Sequence, residues 1–475
     1  MAISKLESGI AQLKDIVGPF GWLGPEQSKR YFEDSRGIYT GRTQLILKPD
    51  TTTIVAKIVN ACRDFGIGII PFGGGTGGAA GHLNLAEAPA VTLSLERMNA
   101  IRRIDPKSNV IVVEAGALLA NVQQAANTAG RHIGLRLASE GSCTIGGNLA
   151  TNAGGVNVLR YGSARDQCLG IEAVMPDGKI LNDLNTVRKN NTGYDLRHLL
   201  IGSEGTLGVI TAAALTLSPR TDENLTALCA VPSPDIAVDL LQALTAQCGT
   251  VVTAFELLSG LGLSLASRHF PHLRPPFEAD HNWYVLLQVD GAAQACKMVE
   301  DWLEETLERS AIQDAVLATS QKQANTLWEL RECAYEYNRR EGAFVTSDTA
   351  VPLGKIGDFI DAVSTSITKA CPGFRVNFYG HIGDGNIHVN IFPPDGQKSS
   401  SEDPALRALA AGLNDSINEI SVQLGGTFSA EHGIGRSRIA DMELYADDTK
   451  RHIQKAIKQT MDPTGIMNPG AFFRM

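Results

Sequence analysis

Three glycine-rich segments in the first 210 residues restrict this chain more than anything else in it. They are Pro71-Phe72-Gly73-Gly74-Gly75-Thr76-Gly77-Gly78, the run from Gly141 to Gly155, and Gly202-Ser203-Glu204-Gly205-Thr206-Leu207-Gly208-Val209-Ile210. Consecutive glycines after a strand let backbone N–H groups converge on an anion. The spacing of Gly73, Gly75 and Gly78 matches the letter of the Rossmann fingerprint. That fingerprint must open a helix, whereas residues 79–91 contain Gly81 and Pro89 and no helical face. A Walker A loop is excluded because no Lys-Ser/Thr follows. For the first segment alone, a flexible glycine loop is the plain alternative. The second segment weakens it, because Ser142, Thr144, Asn148 and Thr151 place short polar side chains among Gly141, Gly146, Gly147, Gly154 and Gly155. Together the three segments point to one long phosphate-bearing ligand threaded through backbone.

The rest of the chain sets the frame. At 475 residues it exceeds the size at which a single core keeps growing, so two domains are expected. Its 43% hydrophobic and 20% charged content is that of an ordinary soluble globular protein. A net charge of −9 argues against nucleic acid as the main partner, since phosphate backbones want a basic face. No stretch reaches the ~18 continuous apolar residues of a membrane span, and the first residues lack the apolar core of a signal peptide. Cys62, Cys143, Cys168, Cys229, Cys248, Cys296, Cys333 and Cys371 are scattered without a C-x-x-C. Such a set reads as reduced thiols and a cytoplasmic location.

Residues 44–220 alternate short strand-like runs with helical ones at Thr52–Phe65 and Leu118–Ala129, an α+β pattern that assigns a first domain to residues 1–220. From Thr221 the glycines thin and the elements lengthen. Strands are expected at Leu225–Val231 and Trp283–Val289, and helices at Pro234–Gln247, Ala293–Ser310, Gln321–Arg340 and Lys355–Ala370. An antiparallel sheet with helices on one face is the expectation for a second domain over residues 221–425. Pro393–Asp403 reads as a polar surface loop. Residues 426–475 are expected to pack back on the first domain.

Within the second domain, Gly380-His381-Ile382-Gly383-Asp384-Gly385-Asn386-Ile387-His388 carries an Asp-Gly pair between β-forming residues, a strong two-residue hairpin signal. With that turn His381 opposes His388, and opposed Cβ atoms lie about 4.5–5.5 Å apart. Two imidazoles so placed can share a metal ion, and alternation adds Tyr379 and Asn390 to their face. Each histidine alone is more often a hydrogen-bonded structural residue. Further on, Ser429-Ala430-Glu431-His432-Gly433-Ile434-Gly435 offers a carboxylate for a third ligand and an adjacent imidazole. The plain alternative there is a helix-capping carboxylate and a surface histidine.

Taken together, the segments PFGGGTGG, TIGGNLATNAGG, YGSARD, RKNNTGYDLRHLLIGSEGTLGVIT, GHIGDGNIHVN, SAEHGIG and MDPTGIMNPG resemble the FAD-linked D-2-hydroxyacid dehydrogenases of the vanillyl-alcohol-oxidase flavoprotein superfamily. The resemblance runs from about Gln44 to Gly470. It implies a two-subdomain, non-Rossmann FAD-binding domain with an antiparallel-sheet-plus-helices cap domain. It also implies FAD contacts from Pro71, Gly73, Gly74, Gly75, Thr76, Gly77 and Gly78 at the pyrophosphate. Gly141, Ser142, Thr144, Gly146, Gly147, Asn148, Thr151, Gly154, Glu204, Gly205 and Ile210 would line the adenine, ribitol and flavin. Asn468 belongs to a C-terminal motif that faces FAD in the family. Superfamily members with covalent flavin often use a histidine in the first loop, where Gly77 and Gly78 stand here, so non-covalent FAD is expected.

The same resemblance completes a His₂Glu metal site from His381, His388 and Glu431, with zinc the first expectation and manganese or iron(II) the alternatives. It implies that a 2-hydroxy acid chelates the ion through its hydroxyl and a carboxylate oxygen, that His432 takes the hydroxyl proton as general base, and that the C2 hydride goes to flavin N5. Arg331 matches the family's substrate-binding arginine; Asn390 and Tyr335, the latter one helical turn from Arg331, are further pocket candidates. Expected substrates are D-2-hydroxyglutarate, D-lactate or D-malate, with an electron-transfer flavoprotein or a quinone as acceptor and a homodimer as the oligomer. Two positions depart from the pattern: Thr346 stands where 2-hydroxyglutarate-type members carry lysine, and Ala471 replaces a lysine after Asn468-Pro469-Gly470. The competing readings are a flavin-containing transferase like alkylglycerone-phosphate synthase and a flavin-binding subunit of a larger oxidase.

Overall fold

A computed structural model describes residues 2–27, 29–34, 37–221, 223–397 and 404–474. The expected surface loop Pro393–Asp403 therefore lies partly outside the described residues. The chain forms two compact units. One comprises Met1–Gly154, Gly162–Arg220 and Glu431–Met475; the other comprises Gly155–Tyr161 and Thr221–Ala430.

The first unit contains two larger sheets and a two-stranded one that pairs Arg131–His132 with Ser218–Pro219. One has the strand order Trp22–Leu23, Ile46–Leu47, Ala90–Ser94, Gly68–Phe72, and its last three strands run parallel. The helix Thr52–Phe65 lies between two of those strands in sequence. It starts where Thr51 Oγ1 accepts from the Ile54 N–H (3.3 Å) and stops at Gly66, whose φ of 69° only glycine adopts cheaply. The other sheet is antiparallel, in the order Ile101–Asp105, Val110–Glu114, Val209–Thr216, Cys168–Val174, Ile180–Asp183. One hydrophobic core joins the helix residues Val55, Ile58 and Val59 to Ile111, Val113, Ile171 and Ala173 of the antiparallel sheet. The C-terminal segment closes on the parallel sheet: the Ile69 N–H donates to the Ile466 carbonyl (2.7 Å), and the Asn468 N–H to the Ile69 carbonyl (2.8 Å).

The second unit is built on one antiparallel sheet in the order Asp314–Leu317, Glu223–Val231, Trp283–Gly291, Val252–Ser259, Arg375–Gly380, Asn386–Phe392, Val345–Thr346. Helices cover both of its faces, not the one expected. On Glu223–Val231, Leu225, Ala227, Cys229 and Val231 join a core with the helices Pro234–Cys248, Ala293–Glu308 and Ile356–Ala370. Leu228 and Ala230 point the other way, into a core with Gly260–His269, Gln321–Glu332 and Ala334–Glu341. The strand Val252–Ser259 is buried along its whole length. Burial on both sides erases the alternation by which a strand is read from sequence.

Two further expectations change. The long helix Gln321–Arg340 is two helices, Gln321–Glu332 and Ala334–Glu341, broken at Cys333 (φ −73°, ψ 0°). The two-residue hairpin turn is a five-residue connection. His388 pairs with Tyr379, Asn390 with Asn377, and His381 lies beyond the strand end at the start of the 3₁₀ turn Ile382–Asp384. Ile382 explains the change, because it is fully buried in the first of the two cores. Its burial draws the chain out of the ladder, and Gly385 at φ 82° returns it.

Candidate active site

The strand Gly68–Phe72 delivers the first glycine segment against the second with no room for side chains. A Cβ on Gly73 would stand 2.8 Å from Thr144 Oγ1, and one on Gly74 would stand 2.0 Å from the Ser142 carbonyl oxygen. The second segment then enters the short helix Ile145–Ala150, whose first turn is held by Thr144 Oγ1 accepting from the Gly147 N–H (3.3 Å). The third segment turns at Glu204 (φ 52°) and Gly205 (φ 73°), the latter pressed against the Pro71 ring.

These segments surround a cleft of about 990 Å³ including its open mouth. Of the residues expected to meet a cofactor, Pro71, Gly73, Gly74, Gly75, Thr76, Gly77, Thr144, Gly146, Gly147, Asn148, Thr151, Glu204, Gly205 and Ile210 line it. His432, read as a base, lines the same cleft. Gly78, Gly141, Ser142, Gly154 and Asn468 stand outside the lining. Ser142 lies behind Gly74. Asn468 acts on the walls, its Nδ2 donating to the carbonyls of Gly81 (2.9 Å) and Glu204 (2.7 Å). Sequence reasoning missed Gly81, Leu95 and Ala115 in the lining, which also holds His82, just beyond the first loop, and Ser203 of the third segment. His82 packs edge-on against Phe72, with ring centroids 5.6 Å apart. A wall of backbone amides without Cβ atoms suits a pyrophosphate, and the apolar Leu95, Ala115 and Ile210 suit flat rings.

Glu204 fastens the loop that follows His432. Its buried carboxylate accepts from the N–H groups of Ile434 (2.8 Å) and Gly435 (2.7 Å). Burial pushes this carboxyl up to about 7, against the pull of those two donors and of Arg436. Arg436 donates to the Gly81 carbonyl (2.7 Å) and to Asn468 Oδ1 (2.8 Å). A Cβ on Gly435 would meet the Ala79 carbonyl oxygen at 2.0 Å. The glycines of the Glu431–Gly435 segment thus serve close packing against the cleft wall.

The second unit holds a different kind of site, made of buried side chains on one sheet face. Along Asn386–Phe392, Ile387, Val389 and Ile391 enter the first core, which leaves His388 and Asn390 on the opposite face. Tyr379 opposes His388 with ring centroids 5.0 Å apart, and His381 stands 6.1 Å from His388 by the same measure. His381 Nδ1 is 2.7 Å from Glu256 Oε1, and His388 Nδ1 is 3.4 Å from the Ser347 carbonyl oxygen. Neither acceptor can donate, so both rings are assigned the hydrogen on Nδ1 and present Nε2 as the basic nitrogen. Two imidazoles so oriented fit a divalent ion.

Arg331 is buried; its Nε donates to Glu256 Oε2 (2.8 Å), and its guanidinium lies over the Tyr379 ring at 4.9 Å. Burial alone would raise the Glu256 carboxyl, yet the hydrogen bond from His381 and the charge and hydrogen bond of Arg331 hold it below the usual carboxylate range. Thr346 lies directly across the ladder from Asn390. Tyr335 is corrected: the break at Cys333 removes its one-turn relation to Arg331, and it is 54% exposed, while Tyr337 is fully buried beside Asn377. The segment carrying Glu431 is fixed just ahead of it, where the Ala430 N–H donates to the Asp348 carbonyl (3.2 Å). Glu256 was invisible in the sequence because nothing marks one acid in an otherwise apolar, doubly buried strand.

Comparison with known proteins bears on the cofactor and on the family. A family described as FAD linked oxidases, C-terminal domain, matches residues 221–472, and one described as FAD binding domain matches residues 43–183. D-2-hydroxyglutarate dehydrogenase, mitochondrial, of Arabidopsis thaliana is 33% identical, covering 91% of this chain and 75% of its own. The Bos taurus protein of the same name is 31% identical, covering 98% and 83%. The D-2-hydroxyglutarate–pyruvate transhydrogenase of Saccharomyces cerevisiae is 29% identical, covering 94% and 89%. Among solved structures, p-cresol methylhydroxylase superposes with a TM-score of 0.78 at 15% identity over 98% of this chain and 96% of that one. An alkyldihydroxyacetonephosphate synthase does so at 0.74 and 18%, over 97% and 84%. These two show the fold alone. The cytoplasmic expectation is corrected, because the plant and cattle relatives are named as mitochondrial. Scattered thiols report a reducing environment, not which compartment supplies it. The chain thus belongs to the FAD-linked D-2-hydroxyacid dehydrogenases, oxidoreductases that act on CH–OH groups.

Proposed function

We propose that the chain oxidises a D-2-hydroxy acid of the 2-hydroxyglutarate, lactate or malate class to the 2-oxo acid. The observation that carries this reading is the meeting of Arg331, Tyr379, Asn390, His381 and His388 on one buried sheet face, in a chain whose other unit holds a glycine-built cleft lined by His432. Non-covalent FAD in that cleft would accept the hydride, and a divalent ion on His381, His388 and Glu431, zinc first, would acidify the 2-hydroxyl. The remaining work belongs to side chains. Arg331 spends its Nε edge on Glu256, which leaves the Nη edge for the substrate carboxylate. Asn390 supplies a short amide on the same face. His432 removes the hydroxyl proton as base. An electron-transfer flavoprotein or quinone would reoxidise the cofactor; the name of the yeast relative adds a 2-oxo acid as an acceptor to test.

The test is a titration of the purified flavoprotein with D- and L-2-hydroxy acids under anaerobic conditions, following the flavin absorbance. Bleaching by the D series alone is expected. No bleaching by any D-2-hydroxy acid in protein loaded with FAD and metal would overturn the reading.

A further inference from the structure

Glu256 has no direct part in the chemistry outlined above, yet it is a buried carboxylate with both oxygens engaged. It sits between Phe255 and Leu257 in the buried strand Val252–Ser259, its side chain about 1% exposed. A carboxylate in such a place costs several kcal/mol unless it is paired and hydrogen-bonded. Both oxygens are in fact used, Oε1 by His381 Nδ1 at 2.7 Å and Oε2 by Arg331 Nε at 2.8 Å. The backbone explains the placement: the next residue, Leu257, pairs with Gly380, directly before His381. The helix Gln321–Glu332 packs over the same sheet face and brings Arg331 to the second oxygen.

We propose that Glu256 is a positioning residue shared by metal binding and substrate recognition. One carboxylate fixes the tautomer and orientation of the His381 ring, so that Nε2 is presented to a cation. It also fixes the guanidinium of Arg331, so that its other edge is presented to a substrate carboxylate. The two recognition events are thereby linked through a single buried anion. A shorter side chain cannot reach both partners, and a neutral one cannot hold Arg331 in a buried place. This inference rests on the functional reading above, which assigns His381 to a metal and Arg331 to the substrate.

The experiment compares the FAD-loaded wild type, Glu256→Gln, and the charge-balanced double variant Glu256→Gln/Arg331→Met. Each is stripped with chelator and titrated with Zn²⁺ alone, with bound metal read by equilibrium dialysis and flavin content read as the folding control. Wild type is expected to bind one ion. Glu256→Gln should bind it about 10- to 100-fold more weakly, the usual cost of removing an outer hydrogen-bond partner of a ligating histidine. Its KM for the 2-hydroxy acid should rise by about tenfold or more with flavin content unchanged, because Arg331 loses its anchor. The double variant removes the unpaired arginine, so it stays testable even where the single variant fails to fold, and its zinc affinity should remain low. Wild-type zinc affinity in a folded variant lacking Glu256 would overturn the inference alone. A wild-type chain that binds no ion would overturn the metal part of the functional reading, and this inference with it.

Discussion

The two units carry candidate sites for a charged ligand, built from opposite materials. In the first unit the cleft is walled by backbone: Gly73, Gly74 and Gly146 leave no room for side chains. In the second, the candidate site is made of buried side chains that meet over one sheet face: His381, His388, Asn390, Arg331 and Glu256. One buried glutamate from each unit makes the contrast concrete. Glu204 is held by two backbone N–H groups, and burial still keeps its carboxyl near 7. Glu256 is held by the His381 Nδ1–H and the charged Arg331 guanidinium, and its carboxyl falls below the usual carboxylate range. Neutral dipoles stabilise a buried anion less than opposite charges do.

If the two sites are separate in function, damage to one should leave the other's ligand in place. The largest effect is expected from His388→Ala, which should lose the metal and lower turnover by about a thousand-fold, worth several kcal/mol of metal catalysis, while FAD content stays full. Loss of FAD from that variant, measured by absorbance, would break the comparison. Gly74→Ala is the reciprocal damage. Its Cβ would collide with the Ser142 carbonyl oxygen, and an overpacking cost of about 1–3 kcal/mol should weaken FAD binding roughly 5- to 150-fold. Zinc affinity should be unchanged, and a fall in it would show the sites to be coupled. Thr346→Lys, across the ladder from Asn390, should shift preference from lactate toward dicarboxylates by about tenfold, the worth of one charge-assisted hydrogen bond. An unchanged ratio of kcat/KM values would remove that position from specificity.

The smallest effect concerns pH. Glu204 holds its proton to about 7 in the native state, against an ordinary value of 4.5. The folded protein is therefore the better proton binder between those values, and the contribution is full below about 4.5 and lost as pH rises to about 7. Relative to Glu204→Gln, which does not titrate, wild type should lose a few degrees of Tm across that window. Parallel Tm profiles would show that the two donors offset burial and return the Glu204 carboxyl to its ordinary range.

Much of the first unit was legible because its determinants are local. Thr51, Gly66 and the periodicity between them fix the helix Thr52–Phe65 residue for residue, and glycine runs announce a backbone-walled site wherever they fold. The second unit was legible in its chemistry and less so in its geometry. His381 and His388 stand together as expected, yet the register of their hairpin is set by Ile382, which seeks the core and breaks the two-residue turn. Tyr335 was misplaced because periodicity runs unbroken through Cys333 while the backbone does not.

The sequence by itself determined the flavoprotein family, the glycine-walled cleft, and the residue types available for a metal and a base. Those depend on backbone freedom and on donor chemistry, which travel with the residues. Only the tertiary structure decided that Asn468 braces the cleft wall instead of lining it. It alone decided that helices cover both faces of the second sheet, and that Glu256 joins His381 to Arg331. These are meetings between segments as far apart as residues 256 and 381, brought about by burial, and no local pattern of residues encodes which distant side chain a buried charge will find.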